Sequence, residues 1–171
     1  SASLHGSATR TTSTAPVASG TSETQTVTSS GVKTFTVAGA TLTFPSSGTL
    51  PNGDLCITRL NSAPDQLPNN YPSAEKNWII NNYGTNASFA ALTNMTLTGY
   101  GAISQNQAAI PSNFKLYKRE MGQTGNNWGS AVGSGSSITA GADAIIAFDA
   151  PITSFSQFVI MQEQTVLPLT L

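Results

Sequence analysis

The strongest constraint on this fold is a rhythm of short β-prone runs broken by turn residues, with no stretch that holds a helical period for three turns. Thr24–Thr28 is a candidate first strand. Lys33-Thr-Phe-Thr-Val37 places Phe35 and Val37 on one face, and Thr41-Leu-Thr-Phe44 does the same with Leu42 and Phe44 before Pro45 stops it. Leu55–Leu60 is apolar on both faces, as a central strand is. Trp78–Tyr83, Ala87–Leu92, the alternating Met95–Tyr100, Phe114–Lys118, Ala144–Phe148 and Phe155–Met161 follow. Pro51-Asn-Gly53, Ala63-Pro-Asp65, Leu67–Asn70, Gly122–Gly125 and Gly133-Ser-Gly135 read as the turns and loops between them. Nine or ten strands so spaced predict an all-β chain, specifically a two-sheet antiparallel β-sandwich of jelly-roll or immunoglobulin-like type.

The two ends of the chain differ from this pattern and from each other. Residues 1–30 hold 16 Ser or Thr and only Leu4, Val17 and Val27 as large apolar groups, too few to build a core. The expected organisation is therefore an extended arm over residues 1–22 and a sandwich over 23–171. That sandwich ends in Val166-Leu-Pro-Leu-Thr-Leu171, where Leu167, Leu169 and Leu171 recur at period two and share one face of an extended strand. An apolar strand left at an open edge invites pairing with another chain. Val166, Leu167, Leu169 and Leu171, with Val17 and Val27 from the other end, are accordingly the expected contacts between subunits. Burying three leucines yields roughly 5–9 kcal/mol, against about 6–12 kcal/mol for ordering six residues. Backbone pairing has to supply the rest.

Charge excludes several functions. Only 9 % of the residues are charged, seven basic and eight acidic, for a net charge of −1. The basic residues are scattered apart from Lys115, Lys118 and Arg119, so a phosphate-neutralising surface for nucleic acid is not expected. No apolar run approaches 18 residues, so no membrane insertion is expected. One cysteine, Cys56, precludes an intrachain disulfide and reads as a small hydrophobe in a strand.

Catalytic constellations are equally sparse. The single histidine, His5, lies in the arm, a poor platform for a triad. Zinc needs clustered His and Cys, and calcium a loop of several oxygen ligands. Asp54, Asp65, Asp143 and Asp149 are isolated in sequence, so no metal and no cofactor is expected. The paired carboxylates of a glycosidase have only generic candidates in Asp54, Glu75, Glu120 and Asp143, with Glu75 placed to pair with Lys76. The chain reads as a non-enzyme. Sugar binding is the better alternative. Tyr71, Trp78, Tyr83, Tyr100 and Trp128 can stack on pyranose rings, and Asn69, Asn70, Asn81, Asn82, Asn126 and Asn127 can bond hydroxyls. Trp128, with Asn126 and Asn127 in the loop Gly125-Asn-Asn-Trp-Gly129, is the most suggestive glycan contact of this set, although packing in the core or at its rim is the stronger reading of the ring. Trp78, beside Ile79 and Ile80, reads as core.

Lys115-Leu-Tyr-Lys-Arg119, Trp128, Pro151-Ile-Thr-Ser-Phe-Ser-Gln-Phe-Val-Ile160 and Leu167-Pro-Leu-Thr-Leu171 together carry a resemblance. Over about residues 40–171 the chain resembles the β-sandwich domains of Bacteroidota surface and secreted proteins, in the region just before the type IX secretion sorting domain. The resemblance implies export across the outer membrane, later removal of the sorting domain, and an extracellular or cell-surface location. It supplies no catalytic residues. The expected function is a structural subunit of an extracellular filament or surface fibre, polymerising head-to-tail with copies of itself by strand addition. The alternative is a non-catalytic carbohydrate-binding or adhesive module with surface glycans as partners.

Overall fold

The β-prone runs become ten strands: β1 (Gly20–Val27), β2 (Gly31–Phe35), β3 (Ala40–Phe44), β4 (Gly53–Leu60), β5 (Asn77–Asn82), β6 (Asn94–Thr98), β7 (Phe114–Arg119), β8 (Gly133–Thr139), β9 (Ile145–Asp149) and β10 (Gln157–Gln162). They are seen in a computed structural model that describes residues 19–68 and 74–163. All neighbouring strands are antiparallel and belong to one sheet, in the order β1-β4-β5-β10-β7-β8-β9-β6-β3-β2. Strands β7, β8 and β9 follow one another directly and β10 returns beside β7, the Greek-key order. A one-turn helix, α1 (Gln105–Ala108), is capped reciprocally by Ser104 and Gln107 and leads through a 3-10 turn into β7.

Alternation decides what the sheet encloses. Leu55 and Ile57 of β4, Met95 and Leu97 of β6, and Phe158 and Ile160 of β10 face a single buried core, each pair two residues apart. Phe44, Phe89 and Phe155 close one end of that core with edge-on and tilted ring contacts at centroid distances of 4.6–6.5 Å. The opposite faces of β7 and β10 carry a second, smaller cluster of Tyr117, Val159 and Met161, roofed by Trp128. Loops 61–68 and 120–132 thus cover the outside of the sheet at this place.

Several expectations change. The ten strands do not separate into two sheets. Two residue pairs, Lys115 with Ser134 and Leu116 with Gly133, join β7 to β8 and make the ladder continuous. Gly133-Ser-Gly135, expected as a loop, opens β8. Its composition argues against a strand, but a register shift between Gly135 and Ser137 lets the segment pair with β9. Ala87–Leu92 is not a strand, because its amides bond to scattered acceptors instead of one ladder. Phe89 N donates to Thr153 O, Ala90 N to Thr49 O and Leu92 N to Ile152 O. Val37 does not share the fate of Phe35: it lies in the turn after β2 and is exposed. Lys76 pairs with Asp143 at 3.9 Å and not with Glu75. Strand β1 starts at Gly20, inside the stretch assigned to the arm. The expected terminal strand, Val166–Leu171, lies outside the described residues.

Candidate functional site

Strands β1 and β2 are the two edges of the sheet, yet only residues 28–30 separate them in the chain. The sheet therefore curls until its edges meet, and it stops short of backbone pairing. Side chains span the remaining seam. Gln25 Nε2 donates to Thr34 O at 2.6 Å, and Glu23 Oε2 accepts from Val37 N at 2.7 Å. Glu23 Oε1 accepts from Gln25 Nε2 at 2.8 Å, and Lys33 Nζ donates to Ser29 Oγ at 2.8 Å. Glu23 and Gln25 are half-buried at period two along β1, alternating with exposed Ser22, Thr24 and Thr26. Edge strands are commonly protected by charged residues turned inward, and Glu23 is such a residue. Its signal in the sequence is a lone acid and amide two residues apart in a threonine run, which composition alone does not single out.

Of the residues expected at a subunit interface, Val27 is fully buried in the core, at the end of β1 where the seam begins. Val17, Val166, Leu167, Leu169 and Leu171 lie outside the described residues, as do His5, Asn69, Asn70 and Tyr71.

Trp128 is not an exposed stacking surface. It is 3 % exposed, its Nε1 donates to Gln66 O at 2.8 Å, and the Arg119 guanidinium lies 4.6 Å from the ring centroid. The glycine- and asparagine-rich loop folds its indole inward, while Asn126 and Asn127 stay exposed. Asn127 Nδ2 is turned back onto Thr124 O. The Trp128 ring is thus not open for stacking and fastens a loop, while Asn126 and Asn127 remain exposed.

The fastening centres on Arg119, itself 4 % exposed. Its Nη1 meets Asp65 Oδ1 at 2.6 Å and Gly125 O at 2.7 Å. Nε and Nη2 both donate to Gln157 Oε1, at 3.0 and 2.6 Å. Gln157 Nε2 passes the chain to Asn77 Oδ1, and Asn77 Nδ2 to Ser62 O. Buried Ser156 donates its hydroxyl to Arg119 O. One planar fork thus ties two loops to β5, β7 and β10.

The Gly125 amide bonding to Oδ2, and then the Arg119 guanidinium, hold the Asp65 carboxyl below its ordinary value. A depressed folded-state value stabilises the fold above the unfolded value near 3.8. That contribution is lost as pH falls through the folded value. Asp65→Asn is expected to flatten the acid limb of stability between about pH 5 and 2. Urea melts of both proteins across that range check it.

The described surface also carries depressions, one of about 270 Å³ lined by Lys118, Val132, Ile152 and Ser154. Tyr83, 70 % exposed, stands over a shallow cleft of about 260 Å³ bordered by Asn81, Asn82 and Met121. The Asn82 amide is already used within the turn, donating to Asn86 O and accepting from Gly84 N. A smaller cleft of about 130 Å³ is lined by Glu75, Tyr100 and Gln162. Burial, and then the Glu75 charge, raise the Tyr100 phenol above its ordinary value.

Among the described residues no three His, Cys, Asp or Glu side chains gather into a metal-binding group. Among them also, no helix is long and apolar enough to cross a membrane. Cys56 is a half-buried free thiol on β4, between Thr24 and Asn81 of the neighbouring strands. No family model, no curated protein and no solved structure matches this chain.

Proposed function

We propose that this chain is a structural subunit of an extracellular filament or surface fibre, joined head-to-tail when a strand from one copy enters the β1/β2 seam of the next. The observation that carries the reading is the seam itself. Among the described residues, a ten-stranded sheet curls to within side-chain reach of closure, and its edges are bridged by Gln25 to Thr34 and by Glu23 to Val37 just past β2. An incoming strand displaces flexible side chains, breaks no backbone ladder, and pairs with an edge on each side.

The lining of the seam favours one donor over the other. Glu23, Gln25 and Lys33 are polar, so a row of leucines from 167, 169 and 171 would bury these groups without partners. The Ser- and Thr-rich stretch 1–18 brings hydroxyls that can bond them. Extended, 18 residues span up to ~60 Å, enough to reach a neighbouring subunit. Export by the type IX route to the cell surface is part of the proposal and rests on the resemblance carried by Pro151–Ile160. On this reading the chain has no catalytic role.

Negative-stain microscopy of the full chain, of a form lacking residues 1–18 and of a form lacking 164–171 tests the assignment. Fibres are expected from the first and third and not from the second. Monomers in all three samples contradict polymer formation. Loss of fibres only when 164–171 is removed contradicts the choice of donor.

A second reading, a non-catalytic carbohydrate-binding or adhesive module, is favoured by one observation, the exposed Tyr83 ring beside Asn81. It predicts glycan retention by a monomer and its loss in Tyr83→Ala.

A further inference from the structure

Among the described residues, three buried polar side-chain atoms have no hydrogen-bond partner: Thr21 Oγ1, Arg59 Nε and Trp78 Nε1. They are not scattered. Thr21 stands opposite Arg59 across β1 and β4, and Arg59 stands opposite Trp78 across β4 and β5. Arg59 follows Leu55 and Ile57 on the core-facing side of β4, and Trp78 is fully buried in the same core. The three side chains thus form one inward-facing cross-strand row, with neighbouring Cβ atoms about 4.5–5.5 Å apart.

Chemistry narrows what belongs in this row. The indole and guanidinium nitrogens only donate, so their missing partner is an acceptor. The guanidinium carries a charge that none of the described carboxylates neutralises, since no ion pair involves Arg59. Glu23, the next inward residue along β1, uses its two oxygens on Gln25 Nε2 and Val37 N. Among the described residues, the Arg59 guanidinium donates from Nη1 to Thr98 O at 3.0 Å.

The head of Arg59 is also held in place. Gly39 and Gly99, at φ +63° and +82°, leave the space it occupies, and a Cβ at either position would collide with Nη1. The side chain is anchored at its tip, and its Nε–H remains unused. Arg59 is only partly buried, but its Nε–H is buried without an acceptor, which is unfavourable, and two orphaned donors beside a hydroxyl match a negative acceptor.

We propose that the Thr21–Arg59–Trp78 row binds one small anion of halide or formate size, which accepts from Arg59 Nε and Trp78 Nε1 together and takes the Thr21 hydroxyl as a third donor. The full burial of Trp78 confines the ligand to a few atoms. The site is independent of subunit assembly, because its central donors lie on β4 and β5.

The test is a titration of the full chain with sodium bromide and with sodium formate, followed by the two indole N–H signals. Sodium gluconate, too large for the row, holds ionic strength constant. The Trp78 signal, assigned by its loss in Trp78→Phe, is expected to move saturably with a midpoint in the millimolar range. The Trp128 signal, already bonded to Gln66 O, should stay in place. Arg59→Met should raise the midpoint at least about tenfold. Should that variant fail to fold, crystals of the unaltered chain soaked in bromide decide, with an anomalous peak expected within hydrogen-bond distance of both nitrogens. A linear, unsaturating shift, a shift unchanged in Arg59→Met, or water alone between the two nitrogens overturns the proposal.

Discussion

Arg119→Met is expected to lower the unfolding free energy by about 3 kcal/mol, the lower end of what removing one partner of a buried ion pair costs. The lower end applies because the Asp65 side chain is 45 % exposed and recovers water when its partner goes. The larger share of the loss comes from the other contacts of the fork. Gln157 Oε1 loses both of its donors, Gly125 O loses its bond, and the face of Trp128 loses the cation above it. Methionine keeps the apolar stem, so the change isolates the fork from the packing beneath it. Arg119→Lys should recover only part of the stability, since one ammonium cannot meet Asp65, Gly125 and Gln157 in their separate directions. Urea melts read the size of the effect. Tryptophan emission reads its location, because Trp128 should redden while Trp78, in the separate core, should not.

Removing residues 1–18 is expected to abolish fibre formation while leaving the monomer's melting behaviour close to that of the full chain. Among the described residues the sheet begins at Gly20, so the truncation leaves all ten of its described strands in place. Assembly is sensitive because donor-strand affinity is a small difference of large quantities. Ordering each donor residue costs about 1–2 kcal/mol, and each net backbone hydrogen bond gives back about 0.5–1.5 kcal/mol. A donor shortened by a few residues should therefore already lose assembly. Successive deletions from Ser1 should show a steep threshold in fibre yield, measured by sedimentation.

Period-two patterning made much of the fold legible. Leu42 with Phe44 and Met95 with Leu97 were readable as inward pairs because polar threonines separate them. Trp78 was readable as core from its isoleucine neighbours. Strand β8 was hidden, since Gly-Ser-Gly-Ser-Ser has neither β propensity nor alternation and is a strand only because β7 and β9 flank it. Ala87–Leu92 was misread for the opposite reason: it has the right residues, but its amides are claimed by two separate segments. Trp128 stayed open between packing and glycan contact because loop composition says nothing about which way a ring folds. Its burial depends on Arg119 and Gln66, nine and 62 residues away in the chain. The seam was the least visible feature. It arises from strand order, and a local pattern does not record which two strands end up at the edges.

The central claim, that a strand enters between β1 and β2, is tested most directly by closing the seam. Thr24→Cys and Thr34→Cys, made with Cys56→Ser, place thiols on the exposed face of each edge strand, where a short bis-maleimide can bridge them. Bridged chains should remain monomers under conditions in which the same double-cysteine chains, capped singly at each thiol, form fibres. Fibres of equal length and yield from bridged and capped chains would contradict the account.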